Sequence, residues 1–205
     1  MNKETLTVKQ NELLPYLKLF KRKFYLVGET AIALHLGHRR SVDFDLFSLT
    51  GINKKDVRQK LTRFPFKIIK ISEDTDQIHF LINDVKITFF SYPYKIDHPL
   101  YLEQYLPMPS LLSLAAMKAY ALGRRAKWKD YVDLYFIIKD HLSVSEISRE
   151  ALNIFGQFYS EKLFREQLAF HKDIDYSEPV ELLIPAPSEA EIKEFLIDRA
   201  IDIGI

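Results

Sequence analysis

Apolar residues change their spacing several times along the chain, and each change marks a predicted element. Across residues 8–20, Leu13, Leu14, Leu17 and Phe20 recur at helical spacing, which predicts an amphipathic helix. Residues 24–27 are continuously apolar and stop at Gly28, the pattern of a short buried strand. Residues 30–36 favour helix, and Gly37 stands where a helix C-terminus wants a left-handed residue. Over residues 42–47 the period drops to two, with Val42, Phe44 and Leu46 alternating with Asp43 and Asp45. A short helix over 54–63 precedes strands over 67–72, 77–81 and 85–91, the last two joined by an Asn83-Asp84 turn that suggests a hairpin.

The segment "YPYKIDHPLYLEQYLPMPS" holds four prolines and is expected to resist regular structure. It reads as the connection to a second, helical part. There Ser110 can cap a helix over 111–122 that ends at Gly123. Helical patterning continues over 131–139, 145–158 and 161–170, and Ser188 and Glu191 have capping-box spacing at the head of a last helix. The predicted class is α+β: a mixed sheet with flanking helices over residues 1–98, then a helical domain over 99–205.

Composition narrows the setting. With 47% hydrophobic and 28% charged residues, the 205-residue chain has the usual globular mix, which argues against wholesale disorder. A formal net charge of only +1 means that any anion-binding surface must be local. The absence of cysteine excludes disulfides and thiolate metal sites and suits a reducing cytosol. The N-terminus MNKETLTVKQ lacks the apolar core of a signal peptide, and no apolar run approaches the roughly 20 residues that span a bilayer. A soluble, cytoplasmic protein without a membrane partner is expected.

Asp43 and Asp45 are the first candidates for chemistry. On a strand they would point to the same face with Cα atoms roughly 7 Å apart. Two such carboxylates can share a hard divalent cation that leaves positions for phosphate oxygens and water. A half-exposed edge strand with an acidic face gives the same pattern, so context decides. The apolar run ending in Gly28 at the head of a helix offers backbone N–H groups for a phosphate. A second cluster is basic: Lys118, Arg124, Arg125, Lys127 and Lys129 fall within twelve residues. Lys118 and Arg125 would share a face if their helix ran past Gly123, although a solvated helix face is the common fate of such a run. Trp128 beside it could stack on a base, but packing between helices is the commoner role. The remaining histidines show no ligand-like spacing, so zinc chemistry is unsupported.

These same stretches carry a family resemblance. "FYLVGETAIALHLGHRRSVDFDLFS" resembles the opening motif of the AbiEii/AbiGii-type toxin family, in the polymerase-beta-like nucleotidyltransferase superfamily. "AAMKAYALGRRAKWKDYVDLYFI" is similar to the family's later motif of a lysine, an arginine and a K-D-x-x-D cluster. A weaker likeness runs through "LAFHKDIDYSEPVELLIPAPSEAEIKEFL". The resemblance implies a nucleotidyltransferase-like domain, a helical domain completing the cleft, and transfer of a nucleoside monophosphate from an NTP to an RNA (a tRNA end) or a protein.

Under that resemblance Asp43 and Asp45 are the catalytic pair and hold Mg²⁺ or Mn²⁺. Gly28, Glu29, Thr30, Arg40, Lys118, Arg125, Lys129 and Asp130 fall on nucleotide-side motif positions, while Lys86 and Asp133 take supporting roles. His38, Arg39, Arg40 and Ser41 match the family's G-H-R-R-S loop, and Arg40 either neutralises phosphate or braces the carboxylates. The implied biology is the toxin of a toxin–antitoxin or phage-defence pair, with a cognate antitoxin. Two positions depart from the pattern. Glu29 replaces the family's glycine or serine, and Thr88 stands where many superfamily members place a third carboxylate. Glu29 either swings toward the metal or weakens nucleotide binding. The second outcome would make the chain a non-catalytic relative that binds nucleotide, RNA or a partner.

Overall fold

Helix α1 (Val8–Leu17), in the computed structural model, which describes residues 1–202, opens on a capping box. Thr7 Oγ1 accepts from the Gln10 backbone, and Gln10 Oε1 accepts from the Thr7 backbone at 2.9 Å. Leu13, Leu14 and Leu17 line its buried face, and a 3₁₀ turn carries Phe20 onto the same layer. The sheet beneath contains β1 (Tyr25–Val27), β2 (Phe44–Ser48), β3 (Ile68–Glu73), β4 (Gln77–Ile82) and β5 (Val85–Ser91). Their order is β1-β2-β5-β4-β3; β2 and β5 run parallel and every other neighbouring pair is antiparallel. Phe44, Leu46, Ile87 and Phe89 face the core, where Phe89 meets Phe20 at 4.7 Å and Phe24 at 5.1 Å between ring centroids. The opposite face carries a row formed by direct pairing across four strands: Val27, Asp45, Thr88 and His79.

Helix α2 (Gly28–Leu36) follows β1 without a loop and ends at Gly37, whose φ of 73° is left-handed as expected. Helix α3 (Lys54–Leu61) starts from an Asn53 cap. The Asn83-Asp84 turn has φ of 53° and 60° at its two central residues, the two-residue hairpin geometry that matches strand twist. Lys9 pairs with Asp84 at 2.5 Å, and Asn83 donates to Glu12 at 2.8 Å, so side chains of α1 pin this turn.

Three expectations change. Strand β2 begins at Phe44, so Asp43 precedes it and Val42 is 55% exposed instead of lining the core. The reason lies in the Asp43 carbonyl, which accepts from Thr30 Oγ1 and from Gln10 Nε2 and so is engaged by side chains. The proline-rich segment is not wholly irregular. It forms an antiparallel pair, β6 (Leu100–Leu102) with β7 (Leu106–Met108), because Leu102, Leu106 and Met108 all bury completely. Pro107 is tolerated because a two-stranded ribbon leaves one side of each strand unpaired.

The contacts divide the chain after Ser110. The second unit contains α4 (Leu111–Leu122), α5 (Trp128–Asp140), α6 (Val144–Phe155), α7 (Glu161–Ala169) and α8 (Glu189–Ile201). Capping boxes at Ser143/Glu146 and Ser188/Glu191 set the starts of α6 and α8. Tyr131, Leu134, Ile147, Phe164, Leu168 and Leu196 are core residues of this unit. Helix α4 stops at Leu122 as expected, so Lys118 and Arg125 do not share one helix; the third change is in α5. Helix α5 starts earlier than predicted because its head is anchored, Trp128 donating to the Asp175 carbonyl at 3.0 Å and Asp175 donating to Ala126 at 2.7 Å. Among the described residues no helix is long and apolar enough to cross a membrane.

Candidate active site

Asp45 is the second residue of β2, paired with Val27 on one side and Thr88 on the other. Its carboxylate lies against the Cα of Gly28, the first residue of α2. A methyl group there would meet Asp45 Oδ2 far inside contact distance and Cγ at 3.2 Å. Gly28 also has φ of 72°, where side chains are strained. Glycine is therefore required twice, once by space and once by backbone. Gly28→Ala is expected to displace the Asp45 carboxylate and lower the unfolding free energy by about 1–3 kcal/mol. Denaturant melts check this, and an unchanged midpoint would refute the close approach.

Burial pushes the Asp45 carboxyl up to about 6, and the Glu29 and Asp43 charges push the same way. A hydrogen bond from Thr88 and the Lys86 charge oppose them. Thr88 in turn lies 3.1 Å from His79 Nδ1. Because an ionised Asp45 only accepts, Thr88 donates to it and His79 Nδ1–H donates to Thr88. A threonine backed by histidine thus stands where the resemblance leads one to expect a third carboxylate.

The Glu29 charge reaches Asp45 and is also paired within the fold. It forms an ion pair at 3.2 Å with Arg39, whose side chain is only 3% exposed. Arg39 thus offsets part of the charge that Glu29 brings beside Asp45. Thr30 is buried, and its hydroxyl bonds Ser41 Oγ at 2.9 Å and the Asp43 carbonyl. It fixes the loop before β2. Arg40 reaches back to the Glu4 carbonyl at 3.5 Å. Lys86 stands exposed on β5, one side-chain pair along from Thr88.

Whether these residues fit a divalent cation is decided by their charge. The Glu29 and Asp43 charges raise the cost of ionising Asp45, and the side of α2 toward it is kept clear of any Cβ. Asp43 and Asp45 therefore suit a hard cation that takes its remaining ligands from substrate. Among the described residues no group of three or more His, Cys, Asp or Glu is arranged to hold a metal by itself.

The basic motif forms a cluster within the helical unit. Lys118 Nζ lies 2.7 Å from Asp130 Oδ1 and 2.8 Å from Asp133 Oδ2, and both aspartates are fully buried. Arg125 grips the same Asp130 with Nε at 3.0 Å and Nη2 at 3.2 Å, a two-pronged contact, while its side chain stays 46% exposed. Burial works against the Asp130 charge, but Lys118 and Arg125 outweigh it and hold the carboxyl below its usual range. Lys129 and Lys127 both pair with Glu178. Burial disfavours that carboxylate too, yet the two ammonium groups bring it down to about 2. Trp128 packs against Tyr131 and Tyr176, the packing role.

Sequence reasoning missed Arg39 as the partner of Glu29, His79 behind Thr88, and Glu178 beneath the lysines. Arg39 stood in a basic triplet and gave no sign of burial. His79 had one available signal, since its strand alternates polar and apolar residues next to the strand of Thr88.

Against known proteins, a family model described as "Nucleotidyl transferase AbiEii toxin, Type IV TA system" matches residues 16–200. An uncharacterized protein, aq_aa25, of Aquifex aeolicus (strain VF5) is 29% identical over 125 residues, and the match spans 58% of this chain and 59% of that protein. Among solved structures, MenT4, a nucleotidyltransferase toxin from Mycobacterium tuberculosis H37Rv, has a TM-score of 0.67 at 16% identity, covering 95% of this chain and 81% of that one. JHP933 from Helicobacter pylori has a TM-score of 0.56 at 14% identity, covering 94% and 88%. At these identities the two structures speak for the fold.

Proposed function

The chain belongs to the AbiEii nucleotidyltransferase toxin family, and from that premise we propose that it moves a nucleoside monophosphate from an NTP to the end of an RNA such as tRNA, using Mg²⁺ or Mn²⁺. A protein hydroxyl is the other acceptor class to be tested. The observation that carries this reading is the Asp45 carboxylate, buried beside two further carboxylates and set against the glycine that opens α2. Asp43 and Asp45 would hold the cation, which when bound offsets charge on the triphosphate and the departing pyrophosphate. Gly28 and the first turn of α2 offer N–H groups and the positive helix end to phosphate oxygens. The acceptor hydroxyl attacks the α-phosphorus, a new O–P bond forms, the α–β anhydride bond breaks and pyrophosphate leaves. Thr88 and His79 keep Asp45 in place throughout.

Within the helical unit we assign phosphate contact to the half-exposed Arg125 and to Lys129. Lys118, held between two carboxylates, orients Asp130, and Asp130 orients Arg125; Asp133 supports Lys118. A cognate antitoxin belongs among the partners of a toxin of this family. The non-catalytic alternative drew on Glu29 and Thr88. The pairing of Glu29 with Arg39 and the bond from Thr88 to Asp45 support the catalytic reading over that alternative.

The test is incubation with Mg²⁺, each α-labelled NTP and total cellular RNA or protein. Label is expected on RNA with one or more nucleotides. EDTA should remove the signal, Mn²⁺ should restore it, and Asp43→Ala should lack it. No transfer from any nucleotide to either acceptor class would sink the proposal.

A further inference from the structure

A basic cavity lies at the other end of β1 and β2 from Gly28. Residues 21–25, 48–50 and 95–99 enclose about 810 Å³, within the size range of ligand pockets. Lys21, Arg22, Lys23 and Lys95 line it against one carboxylate, Asp97. Lys23 lies 3.9 Å from Asp56. Lys21, Arg22 and Lys95 have no ion pair or hydrogen-bonded acceptor among the described residues. In a chain of net charge +1 this is a concentrated positive surface.

The cavity also contains an aromatic stack. The Tyr25 and His98 rings lie face to face, 4.5 Å between centroids and 6° from parallel. Tyr25 is the buried member, and its hydroxyl finds no hydrogen-bond partner among the described residues, a polar group the fold alone leaves unsatisfied. His98 is the exposed member and extends the stack outward. Register ties this place to the aspartates. Tyr25 pairs with Phe47 and Val27 with Asp45, so Tyr25 and Asp45 share a sheet face, about 7 Å apart along the strand direction.

We propose that this cavity binds single-stranded RNA, its phosphates on Lys21, Arg22 and Lys95 and a base on His98, and so holds the stretch leading to the acceptor end. The inference rests on the reading of RNA as acceptor. A cationic groove beside an aromatic platform is the combination that single strands use, whereas an acidic peptide would use the cations alone.

Fluorescence anisotropy of a labelled single-stranded 12-mer RNA, without metal or nucleotide, tests it. Lys21→Ala/Arg22→Ala/Lys95→Ala changes only exposed side chains. It is expected to weaken binding at least tenfold and to flatten the slope of log affinity against log salt by about 2, the share of three phosphate contacts. His98→Ala should weaken binding about tenfold and leave that slope unchanged. Unchanged affinity in the triple variant overturns the proposal, as does absence of binding by the unmodified protein. Equal affinity for poly-glutamate of the same charge, with the same sensitivity to the variants, would reassign the cavity to an acidic protein. The two readings fail separately. A protein that binds RNA here but transfers nothing loses only the transferase proposal. A triple variant that labels RNA at unchanged KM keeps the transferase proposal and loses this one.

Discussion

Asp45→Asn is expected to abolish nucleotide transfer, by on the order of 10³-fold, and at the same time to make the metal-free protein more stable at neutral pH. The two effects have one cause. The carboxyl is raised from 3.8 to about 6 by burial and by Glu29 and Asp43, which costs the folded state on the order of 3 kcal/mol once Asp45 is ionised. Between those two values the folded chain binds the proton that the unfolded chain has released. Stability contributed by this group therefore falls as pH rises from about 4 to 6, and the deficit is complete above about 6. Asparagine keeps an acceptor for Thr88 and removes the charge. Melting curves in EDTA should show the variant above the unmodified protein at pH 7.5, the gap closing as pH approaches 4. A lower melting temperature for the variant at neutral pH would contradict the account. The same proton competes with a divalent cation, so Mn²⁺ affinity of the unmodified protein should fall below pH 6.

The largest loss of stability is expected from Lys118→Met, about 3–5 kcal/mol. Methionine matches the lysine stem in length, so the cost is electrostatic. It deprives Asp130 and Asp133, both fully buried, of the ammonium group that bridges them. Arg125 still reaches Asp130, so Asp133 should bear the greater share. Lys118→Met/Asp133→Asn should accordingly recover a measurable part of the loss. Urea melts of the two single variants and the double variant separate the pairwise contribution. Strictly additive losses would show that the buried triad is not a unit.

How much of this was legible beforehand follows the range of the interactions. Gly28, Gly37 and the alternation around Asp43 and Asp45 are local signals, and each corresponds to a local feature: a left-handed residue, a helix end, a strand with one buried face. The Asn83-Asp84 turn was equally plain. The roles of Arg39 and His79 were not, because they depend on neighbours that only the sheet and the α2 packing supply. Glu29 shows the limit best. Its charge stands out in the sequence, but its partner Arg39 lies ten residues on, in a basic triplet where nothing local singles out the member that is buried. The β6–β7 pair was hidden by its prolines, whose breaking signal outweighed three apolar residues with a place to bury. Lys118 and Arg125 converge on Asp130 without the continuous helix that their spacing invited, since a turn through Gly123 brings Arg125 back to the same carboxylate.

The pinned hairpin between β4 and β5 has a consequence for which changes of length the chain tolerates. Thr88 faces His79 only because the turn holds two residues and no more. Side chains alternate between faces, so sliding one strand by a single position would set Ile78 or Phe80 against Thr88 and turn the imidazole to the opposite side. One inserted codon at residue 83 or 84 would therefore disarm Asp45 from a distance, with every residue of the site still present in the gene.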